Sequence, residues 1–216
     1  VASPSNPTGT MLSKDELTDL IDASHSIGAN FISDEIYHGI QYEKKAVSAL
    51  EVTDDCYVIN SFSKFFSMTG WRVGWMVVPQ NHIRVVERLA QNLFICSPHV
   101  SQIAALEAMS CEGELSQNLN IYSKNRQIIM DGLQHLGLDS FAPPDGAFYF
   151  YIDISKYSDD SLSFCNDILK EVGVAITPGV DFDPERGKTT IRISYARSTD
   201  EIKEGVTRLG QFMKKR

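Results

Sequence analysis

The sequence predicts an α/β chain, in which a sheet-and-helix layer is followed by a smaller α+β layer, and three observations carry that expectation. Short apolar runs at residues 30–33, 57–60 and 73–78 are each too short for a helix, partly β-branched, and bounded by polar, Gly or Pro positions. A long amphipathic stretch then carries Leu115, Leu119, Tyr122, Ile129, Leu133 and Leu136 on one face and stops at Gly137. Beyond it the texture changes to strand, helix, strands and helix.

In order along the chain, Ser13 and Glu16 have the spacing of a capping box ahead of Leu17, Leu20, Ile21 and Ile27, which predicts a helix over residues 13–28 closed by Gly28. The three short runs read as buried parallel strands, because both of their faces are apolar. From Asn81 the pattern turns helical through Val86, Leu89, Ala90 and Leu93, breaks at Ser97-Pro98, and resumes from Val100 to Met109. The long helix that follows could bridge two domains, with a boundary near residue 117, giving domains 1–117 and 118–216. The second of these predicts a strand over 147–154, a helix over 162–172, strands over 174–177 and 190–194, and a final helix from the Ser198/Glu201 capping box to Met213.

With 43% hydrophobic and 22% charged residues over 216 positions, the chain can bury a large core. A net charge of −8 argues against a nucleic-acid partner, since phosphate-backbone binding needs clustered Lys and Arg. The one basic cluster, Lys214-Lys215-Arg216, reads as a solvated helix end that complements the helix dipole. Four scattered cysteines form neither a CxxC pair nor a metal-ligand spacing with the five histidines, so reduced structural cysteines and no metal are expected. With no membrane-length apolar run and no signal-peptide pattern, a cytoplasmic location is the simplest expectation. The chain opens at Val1 on what reads as a strand end, and is expected to be a piece of a longer protein.

The densest polar cluster is Ser61-Phe62-Ser63-Lys64, followed by Thr69-Gly70-Trp71-Arg72, directly after the run at 57–60. Ligands of open α/β sheets bind beyond the carboxyl ends of strands. Two hydroxyls, a lysine, an arginine and a glycine at such an end make a phosphate cradle, the alternative being a solvated loop. Asp34 ends the run at 30–33 and needs a cationic partner or a cap to satisfy. Asn6-Pro7-Thr8-Gly9 is by itself a turn. Alternation in Ile191-Arg192-Ile193 places Arg192 on the face opposite its neighbours, aimed at solvent or into a cleft, and spacing cannot choose between them.

Taken together and in order, Ser3-Pro4-Ser5-Asn6-Pro7-Thr8-Gly9, Asp34-Glu35-Ile36-Tyr37, Ser61-Phe62-Ser63-Lys64 with Gly70-Trp71-Arg72-Val73-Gly74, and Ile191-Arg192-Ile193-Ser194 resemble the class I/II aminotransferases of the aspartate aminotransferase fold. Gly146-Ala147-Phe148-Tyr149 is similar to a family segment near the substrate. The resemblance implies the later part of a large cofactor-binding domain and a small C-terminal domain, with pyridoxal 5'-phosphate as cofactor. It implies that Lys64 forms the Schiff base and moves the proton of the substrate Cα. Asp34 would pair with the pyridine nitrogen, and Tyr37 and Asn6 with the 3'-oxygen. Ser61, Ser63 and Arg72 would hold the phosphate, and Arg192 the substrate α-carboxylate beside Asn6. Amino acid and 2-oxo acid substrates and a homodimer follow from the same resemblance, with part of the site supplied by upstream segments, so that the 216 residues alone would be inactive.

Two other functions fit the same motifs. One is a pyridoxal-phosphate-dependent lyase of the same fold, because elimination and transfer share a Cα carbanion. The other is an aminotransferase-like ligand-sensing domain of a transcription regulator. The identity of the amino donor is not legible, since every amino acid offers Arg192 the same carboxylate.

Overall fold

A computed structural model describes residues 1–215, which divide into two compact units, residues 1–5 with 11–116 and residues 6–10 with 117–215. Of the basic terminus, Arg216 lies outside the described residues, while Lys215 pairs with Glu171 at 3.4 Å.

In the first unit, helix α1 (Lys14–Ser26) starts at the expected capping box, with Ser13 Oγ accepting from the Glu16 N–H and the Glu16 carboxylate accepting from the Ser13 N–H. Leu17 and Ile21, one turn apart, are buried against Phe31, Ala49, Cys56 and Val58. Burial of this kind stabilises by about 2 kcal/mol per large aliphatic side chain. Strands β1 (Ile32–Asp34) and β2 (Tyr57–Ser61) are parallel, with Asp34 level with Ile59. Residues Val1 to Ser3 run parallel along the other side of β1, bonded through Asp34 N–H to Val1 O at 2.8 Å and Ser3 N–H to Asp34 O at 3.2 Å.

The third strand, β3 (Gly74–Val77), corrects the expectation for residues 73–78 in two respects. It is antiparallel to β2, and all four of its residues are exposed. The connection from β2 contains only the short 3-10 turn Thr69–Trp71 and no crossover helix of the kind a parallel return uses, so the chain comes back in the opposite direction. In the order β1-β2-β3 it forms an edge of its sheet. Helices α2 (Ile83–Leu93) and α3 (His99–Ala108) follow, separated by the predicted break at Pro98. Helix α4 (Glu112–His135) is one continuous element whose first residues belong to this unit and whose remainder belongs to the next, ending at Gly137 in the left-handed conformation, φ 73°.

In the second unit, β4 (Tyr149–Asp153) and β5 (Thr177–Pro178) flank β6 (Thr190–Ser194), both antiparallel to it. The strand expected over 174–177 is observed only as the pair Thr177–Pro178, at an edge of the sheet, where a proline without an N–H is tolerated. Helices α5 (Ser161–Val172) and α6 (Thr199–Met213) complete the layer, α6 from the predicted Ser198/Glu201 capping box. Phe150, Ile152, Ile154, Phe164, Ile168, Ile191, Tyr195 and Phe212 are almost wholly buried and form its centre. Burial also pushes the Cys165 thiol up to about 12, which keeps it an unreactive thiol at neutral pH.

Candidate functional site

The first cluster stands where two neighbouring parallel strands end. Asp34 closes β1, and the chain leaving β2 passes through Ser61, Ser63 and Lys64. The Asp34 carboxylate accepts from the Ile36 N–H at 3.1 Å, which folds residues 34–36 into a tight turn. Tyr37, 4% exposed, is thereby directed inward, and the Lys64 ammonium lies 5.7 Å from the centre of its ring. Gly39, at φ 91°, lies under the Phe65 ring so closely that any side chain there would collide with it, and this contact holds the 37–40 turn against the Lys64 segment.

The hydroxyls form a chain. Ser61 Oγ donates to Ser63 Oγ at 2.9 Å and accepts from the Ser63 N–H at 3.0 Å, while Thr69 Oγ1 donates to Ser63 O at 2.8 Å. Ser61 pairs with Gly74 across the sheet and the Phe62 N–H donates to Val73 O, which brings the Arg72 backbone alongside the serines. Arg72 itself is in the left-handed conformation, φ 55°, and exposed, with Nη1 donating to Thr69 O at 2.9 Å. A non-glycine residue in that region carries strain that a functional position tolerates.

The second cluster lies within the second unit. Arg192 on β6 donates from Nη1 to Asn6 Oδ1 at 2.6 Å and from Nη2 to Thr177 Oγ1 at 3.4 Å. Its guanidinium is sandwiched between the rings of Tyr149, 4.4 Å to the centroid, and Phe182, 4.5 Å. Its Nε is buried with no partner among the described residues. The alternatives that alternation left open for Arg192 are thus resolved toward a lined cleft and away from an open sheet face.

Asp34, Tyr37, Ser61, Ser63, Lys64 and Arg72 fall in the first cluster, and Asn6 and Arg192 in the second. Sequence reasoning missed Thr177 and Phe182, neither of which belongs to a recognisable motif, and it named Thr69 in the polar cluster without giving it a role. It named Glu35 in the strand-end motif without giving it a role; Glu35 is 3% exposed and its Oε1 accepts from Ser33 Oγ at 3.0 Å, Ser48 Oγ at 3.1 Å and the Ala49 N–H at 2.8 Å. A carboxylate inside an apolar strand end, with serines at 33 and 48, was the available signal.

The first unit gathers a lysine, a carboxylate and a hydroxyl-rich arginine loop at strand ends, and the second bears an aromatic-lined arginine; each is a donor set of the class that suits anionic groups. The comparisons with known proteins narrow that class. The family model for aminotransferase class I and II matches residues 1–209. Among curated relatives, the valine--pyruvate aminotransferase of Mycobacterium tuberculosis is 44% identical over 99% of this chain and 56% of its own length. The (5-formylfuran-3-yl)methyl phosphate transaminase of Methanocaldococcus jannaschii is 36% identical over 100% of this chain and 57% of its own length. Among solved structures, one from Silicibacter pomeroyi is 62% identical with a TM-score of 0.98, covering 100% of this chain and 58% of that one. An aspartate aminotransferase from Thermotoga maritima is 30% identical with a TM-score of 0.90, covering 99% and 55%.

The chain belongs to the class I and II aminotransferase family and has the aspartate aminotransferase fold. It spans a little over half the length of the relatives it matches, 56% of the first curated one. That family depends on pyridoxal phosphate. Among the described residues, no helix is long and apolar enough to cross a membrane.

Proposed function

We propose that this protein transfers an amino group between an amino acid and a 2-oxo acid with pyridoxal 5'-phosphate held at Lys64. The single observation that supports this most is the placement of the Lys64 ammonium 5.7 Å over the Tyr37 ring, beyond the carboxyl ends of the two parallel strands that also present Asp34 and the serines. The donor set suits the cofactor. A carboxylate matches its ring nitrogen, a phenol its 3'-oxygen, and hydroxyls with a guanidinium its phosphate. Gly74 adds to the fit, because a Cβ there would meet Asn60 O at 2.7 Å and push the phosphate-side loop off β2.

When bound, pyridoxal phosphate supplies an electron sink for the pair of electrons left when the Cα proton departs. The protein's own groups do the rest. Lys64 would hold the cofactor through its amine, and that amine, once free, would take up the proton of the substrate Cα. Asp34 would pair with the ring nitrogen. Tyr37 and Asn6 would hold the ring oxygen, Ser61, Ser63 and Arg72 would hold the phosphate, and Arg192 would take the substrate α-carboxylate as a planar pair. Asn6 and Thr177 already point the two Nη atoms of Arg192, so little ordering remains for the substrate to supply.

Relatives are named for valine, aspartate and N-acetyl-LL-diaminopimelate, so the group they share is the α-amino carboxylate. The 44% identity with the valine--pyruvate enzyme makes valine and pyruvate the first pair to assay. Residues 1–117 and 118–216 correspond, in this reading, to the later part of the large domain and to the small domain. A homodimer in the cytoplasm completes the reading, supported by apolar side chains left exposed on α2 and α3, such as Leu93, Val100 and Leu106, and tested by sedimentation of the full-length protein. The functional test is a donor screen on the full-length protein with a Lys64→Ala control. Oxo-acid formation balanced by a new amino acid supports transfer, whereas release of ammonia identifies a lyase.

A further inference from the structure

We infer that Glu35 is a positioning residue for the cofactor end of the site, fixing the turn that presents Asp34 and Tyr37; the inference rests on the proposed function. Glu35 lies between those two residues in sequence, and its side chain is buried against residues 33, 48 and 49. One oxygen, Oε1, gathers Ser33 Oγ, Ser48 Oγ and the Ala49 N–H within 3.1 Å. The short helix Ala49–Glu51 is thereby tied to the end of β1 by a buried group.

The other oxygen, Oε2, faces His38 Nδ1 at 3.5 Å. His38 Nε2 lies 3.1 Å from Ser3 O, and a carbonyl only accepts, so Nε2 carries a hydrogen there. The residues on both sides of the turn are therefore tied down. Glu35 anchors its start to the 48–49 segment, and His38 anchors its end to the N-terminal segment that runs along β1. Backbone bonds from His38 N–H to Glu35 O at 2.9 Å and from Ile40 N–H to Tyr37 O at 3.0 Å close the turn between these anchors.

A buried carboxylate is costly unless its lone pairs are filled, and a well-packed apolar residue would serve stability as well. What an apolar residue cannot do is gather three donors from two segments at one point. That function sets where Asp34 and Tyr37 point, and a displacement of either by about 1 Å is enough to weaken a preorganised site.

The test compares wild type, Glu35→Ala and Glu35→Gln in the full-length protein, reading the Kd for pyridoxal phosphate by absorbance together with kcat, KM and the thermal midpoint. Glutamine retains an oxygen for the three donors and offers an N–H to His38 Nδ1, so it acts as the conservative variant. The expected result is cofactor binding weakened about tenfold or more in Glu35→Ala, with kcat lowered and amino-acid KM little changed, and recovery to within about threefold in Glu35→Gln. Wild-type cofactor affinity in Glu35→Ala, or equal loss in both variants, overturns the inference. If Glu35→Ala does not fold, Ser33→Ala and Ser48→Ala each remove one donor; severalfold weaker binding supports the inference and unchanged binding in both overturns it. Failure of the wild type to bind pyridoxal phosphate overturns the functional reading, and the inference with it.

Discussion

Arg192 Nη1 donates to Asn6 Oδ1 at 2.6 Å, joining residues 186 positions apart in sequence. Asn6 follows the first few residues of the chain and Arg192 sits in the last strand, yet both belong to the same compact unit. The bond turns one edge of the guanidinium fork, and Tyr149 and Phe182 cover its two faces. An arginine so lined is poorly hydrated and rigid, and both properties strengthen a pairing with a carboxylate.

Replacing Arg192 should therefore damage substrate capture above all. Arg192→Ala is expected to lower kcat/KM for amino acids by about 100-fold or more, with the cofactor Kd nearly unchanged. Arg192→Lys recovers only part, because an ammonium cannot present a planar pair of donors. Phe182→Ala removes one face of the sandwich and should cost about 1 kcal/mol, read as a rise in KM of roughly fivefold. Steady-state kinetics with several donors checks all three.

Gly74→Ala places a methyl 2.7 Å from Asn60 O, a backbone atom that cannot swing away. The β2/β3 pairing must shift, at a cost of about 1–3 kcal/mol. Because Ser61 is the residue paired with Gly74, cofactor affinity should fall together with the denaturation midpoint. Urea unfolding and a cofactor titration on the same variant check this.

Asn125 is wholly buried on α4 and its amide donates to Tyr195 O at 3.1 Å and Arg197 O at 2.7 Å, just beyond the strand that carries Arg192. Asn125→Ala leaves both carbonyls without their donor and should destabilise by about 2 kcal/mol. Asn125→Asp should cost at least as much, since it sets an acceptor against two acceptors. Chemical denaturation gives the numbers directly.

The Glu201 carboxyl is held below its usual range, first by the Ser198 hydroxyl and then by the Ser198 backbone N–H. A carboxyl with a depressed folded-state pKa contributes stability that is present above its unfolded pKa and lost as pH falls through the folded value. Ser198→Ala should accordingly lower the thermal midpoint at neutral pH, with the gap from wild type closing as pH drops below the ordinary carboxylate range. Thermal melts from neutral pH to about pH 3 test the sign.

Local chemistry was legible in the sequence wherever a few neighbouring residues decide the outcome. The boxes Ser13/Glu16 and Ser198/Glu201 start α1 and α6 as expected, and the run 190–194 is a strand over its full length. The direction of β3 was not legible, because apolar residues at 73–78 look the same in either direction and only the path of the intervening loop decides. Arg192 shows the same limit in the site. Alternation left two faces open, and partners at residues 6, 149, 177 and 182 chose between them. The role of Glu35 was not legible because its partners Ser48 and Ala49 lie outside the motif that contains it.

The most direct measurement is borohydride reduction of the cofactor-loaded full-length protein followed by peptide mass mapping. Lys64 alone is predicted to retain the pyridoxyl mass, and Lys64→Ala to retain none on any peptide. A reduced adduct on another lysine, or none on the wild type, would contradict the account.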